Sequence, residues 1–184
     1  MGIRHHQIVI VGGGSAGITV ASTLFRKDTS LDIAIIEPSS KHYYQPGLTF
    51  VGAGIFNIKA IERNEGDVIP ANARWIKDTA AKLLPDQNRV VVKSGEEIRY
   101  HYLVLCPGIQ INWHKIRGLN ESLGKNGVCS NYSPDSAPYT YECMKNFEGG
   151  TAIFTQPNTP MKCGGAAQKA MYLASDYFRR KAGK

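Results

Sequence analysis

Residues 7–17 read QIVIVGGGSAG. Ile8, Val9, Ile10 and Val11 form an uninterrupted apolar, β-branched run, the composition of a strand covered on both faces. The run passes straight into Gly12, Gly14 and Gly17, which stand at the G-x-G-x-x-G spacing that opens a helix in dinucleotide-binding folds. The first glycine permits a tight turn, the second lets backbone approach a pyrophosphate, and the third lets the helix pack closely on its strand. A pyrophosphate placed there meets free N–H groups and the positive end of the helix dipole. The next apolar run, residues 32–37 (DIAIIE), ends in Glu37, twenty residues beyond Gly17. A carboxylate at that point accepts from ribose hydroxyls and repels a 2′-phosphate, so the expected ligand is of the ADP-ribose type, FAD or NAD. The plainer reading is a strand, a turn, a helix and a solvated Glu37; strand, glycines, helix and acid in the right order outweigh it.

Outward from this motif, 184 residues are enough for one large or two small domains, and 42% hydrophobic with 20% charged residues belongs to globular chains. The net charge of +7, 22 basic against 15 acidic residues, could serve anionic ligands or an acidic membrane surface. Solvated faces and a basic helix end at residues 179–184 account for it more simply. No zinc spacing, helix-turn-helix or RNA-stacking pattern is present, so neither metal nor nucleic acid is expected. Cys106, Cys129, Cys143 and Cys163 include no C-x-x-C pair, against a zinc ribbon or a disulfide framework and in favour of a reducing compartment. No apolar run reaches a membrane span, the first strand begins too early for a signal peptide, and the Met1-Gly2 start has His6 where a myristoylation motif wants Ser or Thr.

In chain order, residues 15–26 read as a helix with Ala16, Val20, Ala21 and Leu24 on one face. Residues 39–54 read as a loop and a short small-residue helix beside a flat ligand, and residues 55–69 as another short helix before Pro70. A short strand at 74–77, a hairpin of 80–84 and 89–93 around a 85–88 turn, and a strand at 96–99 make an antiparallel appendage. Residues 102–106 (YLVLC) read as a separate parallel strand, buried on both faces, that stops at Pro107 and Gly108. After a connector with a helix near 137–147, residues 151–155 begin a new strand and 166–181 form a long amphipathic helix. The fold class is therefore α/β: a Rossmann-like parallel sheet for an ADP-ribose-type ligand, FAD or NAD, with an antiparallel β appendage, then the start of a second dinucleotide-fold domain. The expected domains are 1–110, a dinucleotide-binding domain, and 111–184, a connector and the first strand-helix unit of the second.

The stretches GGGSAG (12–17), HYYQPGLTFVGAG (42–54), YLVLCPG (102–108) and FTQPNTPMKCGGAAQKAMYLASDYFRR (154–180) resemble the sulfide:quinone oxidoreductases, flavoproteins of the two-dinucleotide-fold disulfide reductase superfamily. The resemblance implies that 1–110 is an incomplete FAD-binding domain, with FAD in an extended pose, Gly12, Gly14, Ser15 and Gly17 at the pyrophosphate and Glu37 at the adenosine ribose. It places Ala80 near the adenine, and His42, Gln45 and Pro46 toward the flavin. Cys106, Pro107 and Gly108 stand where the superfamily has a Thr-Gly or Thr-Pro-Gly turn beside FAD, and Cys106 itself reads as a small hydrophobe.

Cys163 is the residue assigned the chemistry. It lies where a pyridine-nucleotide domain carries its own glycine loop, and QPNTPMKCGG replaces that loop with a thiol. Lys162 and the following helix N-terminus both favour thiolate, the nucleophile of disulfide and persulfide exchange. Cys129 matches a third cysteine of some bacterial members and is an accessory; Cys143, on a helix, is structural. The resemblance implies oxidation of sulfide to sulfane sulfur or persulfide with electrons passed through FAD to quinone, and a small thiol or other sulfur acceptor as partner. It also implies a peripheral position on the inner membrane in the full-length form, in a cytoplasmic or mitochondrial-matrix type of compartment, and is compatible with a homo-oligomer. The family's second essential cysteine lies far downstream of Lys184, so the chain alone is expected not to turn over. The alternatives are a flavocytochrome sulfide dehydrogenase, a type II NADH dehydrogenase, and a non-catalytic nucleotide-binding fragment.

Overall fold

The computed structural model describes residues 4–158 and 160–183; the Met1-Gly2 start and Lys184 lie outside them. In chain order the elements are β1 (Arg4–Val11), α1 (Ser15–Lys27), β2 (Ile33–Ile36), β3 (Lys41–Tyr43), α2 (Leu48–Gly52), α3 (Ile58–Ile61), β4 (Glu62–Asn64) and α4 (Glu65–Val68). They continue with β5 (Arg74–Ile76), β6 (Ala80–Leu84), β7 (Arg89–Val92), β8 (Glu97–Leu105), α5 (Leu119–Ser122), α6 (Ala137–Lys145) and α7 (Ala166–Ala182). The chain divides into two compact units, residues 1–43 with 63–108, and residues 44–62 with 109–184.

The first unit is a six-stranded sheet of order β5-β2-β1-β8-β7-β6, with β3 and β4 paired in a separate small sheet. β1 lies parallel to β2 on one side and to β8 on the other, and β2 lies parallel to β5. The β6–β7 and β7–β8 pairs are antiparallel, and the ion pair of Arg89 and Glu97 ties the last two together. The apolar runs supply both faces of β1 and β2. Val9, Ala34 and Ile36 join Val90, Val92, Ile98 and Tyr100 in one cluster, while Ile8, Ile10, Ile33 and Ile35 pack with Ala21 and Phe25 of α1 in the other. This is the period-two division of a strand buried from both sides.

Three local expectations change. Residues 96–99 and 102–106 are not separate strands: β8 is continuous, pairing with β7 over its first residues and with β1 along its length. Nor is its end buried on both faces, because Tyr102 is 67% and Leu105 53% exposed. Beyond Arg99 no described residue pair joins β8 to β7, and the Tyr100 N–H donates instead to the Asn88 carbonyl at 3.0 Å, just before β7 begins. On α1 the buried positions are Gly17, Ala21 and Phe25, with Ala16 exposed; the face is centred on the glycine that lies against the strand.

In the second unit, Leu48, Val51 and Ile61 pack with Ala137 around α2, α3 and α6. Rings join α6 to α7, Tyr141 to Tyr177 edge-on at 5.9 Å and Phe147 to Phe178 at 4.8 Å. Lys181 donates to the carbonyls of Lys145 and Phe147 at 2.7 and 2.9 Å. Residues 151–155 are not a strand. Their apolar side chains suit one, but Ile153 is 79% exposed and no sheet is described in this unit for them to join, and a strand without a partner leaves its backbone groups unpaired.

Candidate functional site

The strand order reverses at β1, which has β2 on one side and β8 on the other. In open α/β sheets the crevice at the carboxyl ends of such strands is where ligands bind. Here those ends are Gly12 and Cys106. The Gly12 N–H donates to the Ile36 carbonyl at 2.9 Å, and the Cys106 N–H donates to the Val11 carbonyl at 2.7 Å. The glycine turn therefore hangs between all three central strands.

The three motif glycines meet different demands. Gly12 has φ +104, and a Cβ on it would lie 2.1 Å from the Cys106 carbonyl oxygen. A Cβ on Gly17 would lie 1.9 Å from the Gly12 carbonyl oxygen. Both are glycine because the protein's own backbone occupies the space. Gly14 is different: its φ of −67 and ψ of −178 suit any residue, and a Cβ there meets nothing within 4 Å. Nothing in the described protein requires glycine there. Gly14 is also the residue that precedes α1, and being glycine it offers no side chain to cap the helix, the arrangement at which phosphates bind in dinucleotide folds. Ser15 is exposed in that first turn.

Glu37, at the end of β2, is half-buried and bonded at both oxygens. Its Oε2 accepts from the Gly13 N–H at 2.8 Å and its Oε1 from the Ser39 N–H at 2.8 Å. Trp75 Nε1 donates to its carbonyl at 2.9 Å. Each carboxylate oxygen retains a second lone pair, so Glu37 both braces the turn and can still accept from a ribose hydroxyl. Behind Gly13 stands a second acid. Glu65, at the start of α4, is 2% exposed, its Oε2 is 3.3 Å from His42 Nδ1, and its Oε1 is buried with no hydrogen-bond partner. Burial pushes its carboxyl above the ordinary glutamate range; nearby His42 opposes this and Glu37 adds to it. A Cβ on Gly13 would lie 2.6 Å from Glu65 Oε1 and 2.8 Å from Glu37, so these two acids exclude any side chain there. Ala80 is half-buried against the β8 side of the core, while Pro107 and Gly108 are exposed, the latter with φ +72. Cys106 is half-buried against the α1 cluster.

Gln45 and Pro46 belong to the second unit and are exposed. So do three cysteines. Cys163 is exposed with φ +58, in the left-handed region that non-glycine residues rarely occupy. Its carbonyl accepts from the Ala166 N–H at 2.9 Å, fixing it at the start of α7. Cys129 is half-buried, and its thiol donates to the Gly127 carbonyl at 3.3 Å. Burial, and then contact with Cys143, push it up to about 12, so at neutral pH it stays a protonated thiol. A cleft of about 460 Å³ lined by Phe147, Phe154, Met171 and Phe178 opens elsewhere in this unit. It is an apolar surface whose one charged lining group is Arg179. No cluster of metal-ligating side chains occurs among the described residues.

Residues 6–136 match the family model of the pyridine nucleotide-disulphide oxidoreductases. The chain belongs to the pyridine nucleotide-disulphide oxidoreductase family. It is 51% identical to the mitochondrial sulfide:quinone oxidoreductase of Dictyostelium discoideum over 95% of its own length, and 44% identical to that of Mus musculus over 96%. It spans 39% of the length of either relative. Among solved structures of this oxidoreductase fold, the sulfide:quinone oxidoreductase of Aquifex aeolicus superposes with a TM-score of 0.65 at 24% identity, over 77% of this chain and 32% of that one. A Rossmann-like α/β fold with the glycine turn at its switch point is thus common to the chain and the oxidoreductase family. A flavin-type cofactor fits that family and the open space over Gly14. Reading the sequence alone missed Glu65 and the His42–Glu65 pair; a Glu opening a short helix carries no sign of burial until β3 and β4 are known to pair above it.

Proposed function

We propose that this chain forms the nucleotide-binding part of a flavin-dependent sulfide:quinone oxidoreductase. The observation that carries the reading is the 51% identity to an enzyme of that name across 95% of the chain. The bound group is FAD, which when present would accept two electrons from sulfur and pass them to quinone. Gly12, Gly14, Ser15 and Gly17 hold its pyrophosphate at the start of α1, and Glu37 receives the adenosine ribose. Ala80 borders the adenine, and His42 and the turn of Cys106, Pro107 and Gly108 face the flavin. Support for this assignment comes from the open space at Gly14 and the absence of any side chain capping α1.

Cys163 is the nucleophile toward sulfur in this proposal. It is exposed, and its carbonyl is tied to the first turn of α7. Cys129, held as a thiol by burial and Cys143, is an accessory residue in this proposal. The products are sulfane sulfur or persulfide on a small acceptor and reduced quinone. The compartment is of the mitochondrial-matrix or cytoplasmic type, with the whole protein peripheral to the inner membrane; no described helix is long and apolar enough to cross one. Sulfide-dependent quinone reduction, measured on the full protein as wild type and Cys163→Ser, tests the assignment. Activity in the first and none in the second is expected, and an active Cys163→Ser would place the sulfur chemistry elsewhere.

A further inference from the structure

Cys163 occupies the left-handed backbone region, φ +58, which is strained in a non-glycine residue, so something must hold it. One hold is internal, the Ala166 N–H on the Cys163 carbonyl. The other reaches across 30 residues: the Tyr132 hydroxyl donates to the carbonyl of Lys162 at 2.9 Å. That bond fixes the peptide plane immediately before Cys163. It is made from a rigid base. The Tyr132 N–H donates to Ser130 Oγ at 3.2 Å, and the buried Ser136 hydroxyl donates to the Ser130 carbonyl at 2.7 Å. Asn131 packs so tightly on α2 that a Cβ on Gly52 would lie 2.1 Å from its Oδ1. The turn before α6 is thus braced on two sides, and it presents one half-buried phenol to the loop that carries the exposed thiol. Burial, and then the charge of a Cys163 thiolate, raise the Tyr132 phenol above its ordinary value, which places ring and sulfur within electrostatic reach of each other.

We propose that Tyr132 is a positioning residue for Cys163: its hydroxyl, by holding the Lys162 carbonyl, keeps the thiol at the amino end of α7 and out of the ordinary backbone basins. The proposal rests on the reading of Cys163 as the reactive thiol. Without the hydroxyl the Lys162–Cys163 peptide is free to turn over, and the sulfur leaves the helix end that favours an attacking anion.

The test is made on this chain. Alkylation by iodoacetamide at pH 7.5 is followed cysteine by cysteine by peptide mass spectrometry, in wild type and Tyr132→Phe, with melting temperature measured alongside. Cys163 should react faster than Cys129 in wild type. In Tyr132→Phe its rate should fall about two- to tenfold, the worth of one neutral hydrogen bond, with the Cys106 rate and the melting temperature unchanged. A Cys163 rate that is unchanged or raised in the variant, with Cys163 still outpacing Cys129 in wild type, overturns the positioning role and leaves the reading of Cys163 intact. A Cys163 no faster than Cys129 in wild type overturns both. A second measurement needs no variant: with ring-¹³C tyrosine in assigned wild-type protein, methanethiolation of Cys163 should shift the Tyr132 resonance. A Tyr132 signal that stays in place shows that the phenol does not sense the thiol, and the proposal fails.

Discussion

Replacing Gly14 by Ala separates what the fold needs from what a ligand needs. The backbone at Gly14 is extended at φ −67 and ψ −178, and the added methyl meets no atom within 4 Å. Folding should therefore barely register the change. Alanine's smaller unfolded-state entropy adds about 0.4 to 1 kcal/mol of stability, and its poorer capping of a helix start removes about as much. Gly12→Ala is the contrast, with φ +104 and a methyl 2.1 Å from the Cys106 carbonyl oxygen. Strain in the left-handed region and overpacking against backbone together cost about 2 to 6 kcal/mol, and the Gly17 methyl at 1.9 Å from the Gly12 oxygen adds overpacking alone, about 1 to 3 kcal/mol. Thermal unfolding should leave Gly14→Ala within about 2 °C of wild type and lower Gly12→Ala by about 4 °C or more and Gly17→Ala by about 2 °C or more, at about 2 to 4 °C per kcal/mol for a chain of this size. Calorimetric titration with FAD should then show Gly14→Ala binding at least about tenfold more weakly, because the methyl occupies the approach of the pyrophosphate. FAD binding as tight in Gly14→Ala as in wild type would refute the placement of the phosphates over this residue.

Glu65 gives a pH signature. Because its carboxyl is raised in the fold, the folded chain binds a proton that the unfolded chain releases, so stability declines as pH rises from about 4.3, the unfolded value, through the raised folded value. Glu65→Gln removes that titration: it should match wild type below pH 4 and melt higher than wild type at pH 7, whereas a lower melting temperature at pH 7 would mean that the His42 contact outweighs burial. Among the cysteines, Cys129 should be the slower to alkylate at pH 7.5, since its thiol is pushed up to about 12 while Cys163 is exposed; equal rates in peptide-resolved labelling would contradict the burial argument. Gly52→Ala should destabilise the second unit by about 1 to 3 kcal/mol through its methyl's overlap with Asn131, read as earlier proteolysis of residues 109–184.

Most of the first unit was legible because its signals are local. Two β-branched runs, a glycine spacing and a terminal acid need only neighbours in sequence to be read, and α1, β2 and the β6–β7 hairpin fall within a residue or two of expectation, while β1 begins at Arg4, before the apolar run at Ile8. The long α7 and the shorter α6 were legible for the same reason. What failed depends on partners far away in the chain. The exposure of Tyr102 and Leu105 depends on what the rest of the chain lays over each face of the sheet, not on YLVLC itself. The apolar residues 151–155 have strand composition but no described sheet to join. The β3–β4 pair is made of KHY and ERN, which no propensity marks as strands, and Glu65 is buried beside it. At the site, the glycines and Glu37 were visible as a spacing, while the dual bond of Glu37 to Gly13 and Ser39 and the reach of Tyr132 to Lys162 are products of tertiary folding.

Central to the proposed function is that the first unit accepts an ADP-ribose without a 2′-phosphate. Calorimetric titration of this chain with ADP-ribose and with its 2′-phosphorylated form, in wild type and Glu37→Gln, measures this directly. One molecule of ADP-ribose should bind per chain, at least about tenfold more tightly than the 2′-phosphate, the cost of setting a dianion against a carboxylate that already holds the turn. Glu37→Gln should narrow that gap. Equal affinity for the two ligands in wild type, or tighter binding of the phosphorylated one, would contradict the assignment of Glu37 to the ribose and with it the orientation of the nucleotide in the crevice.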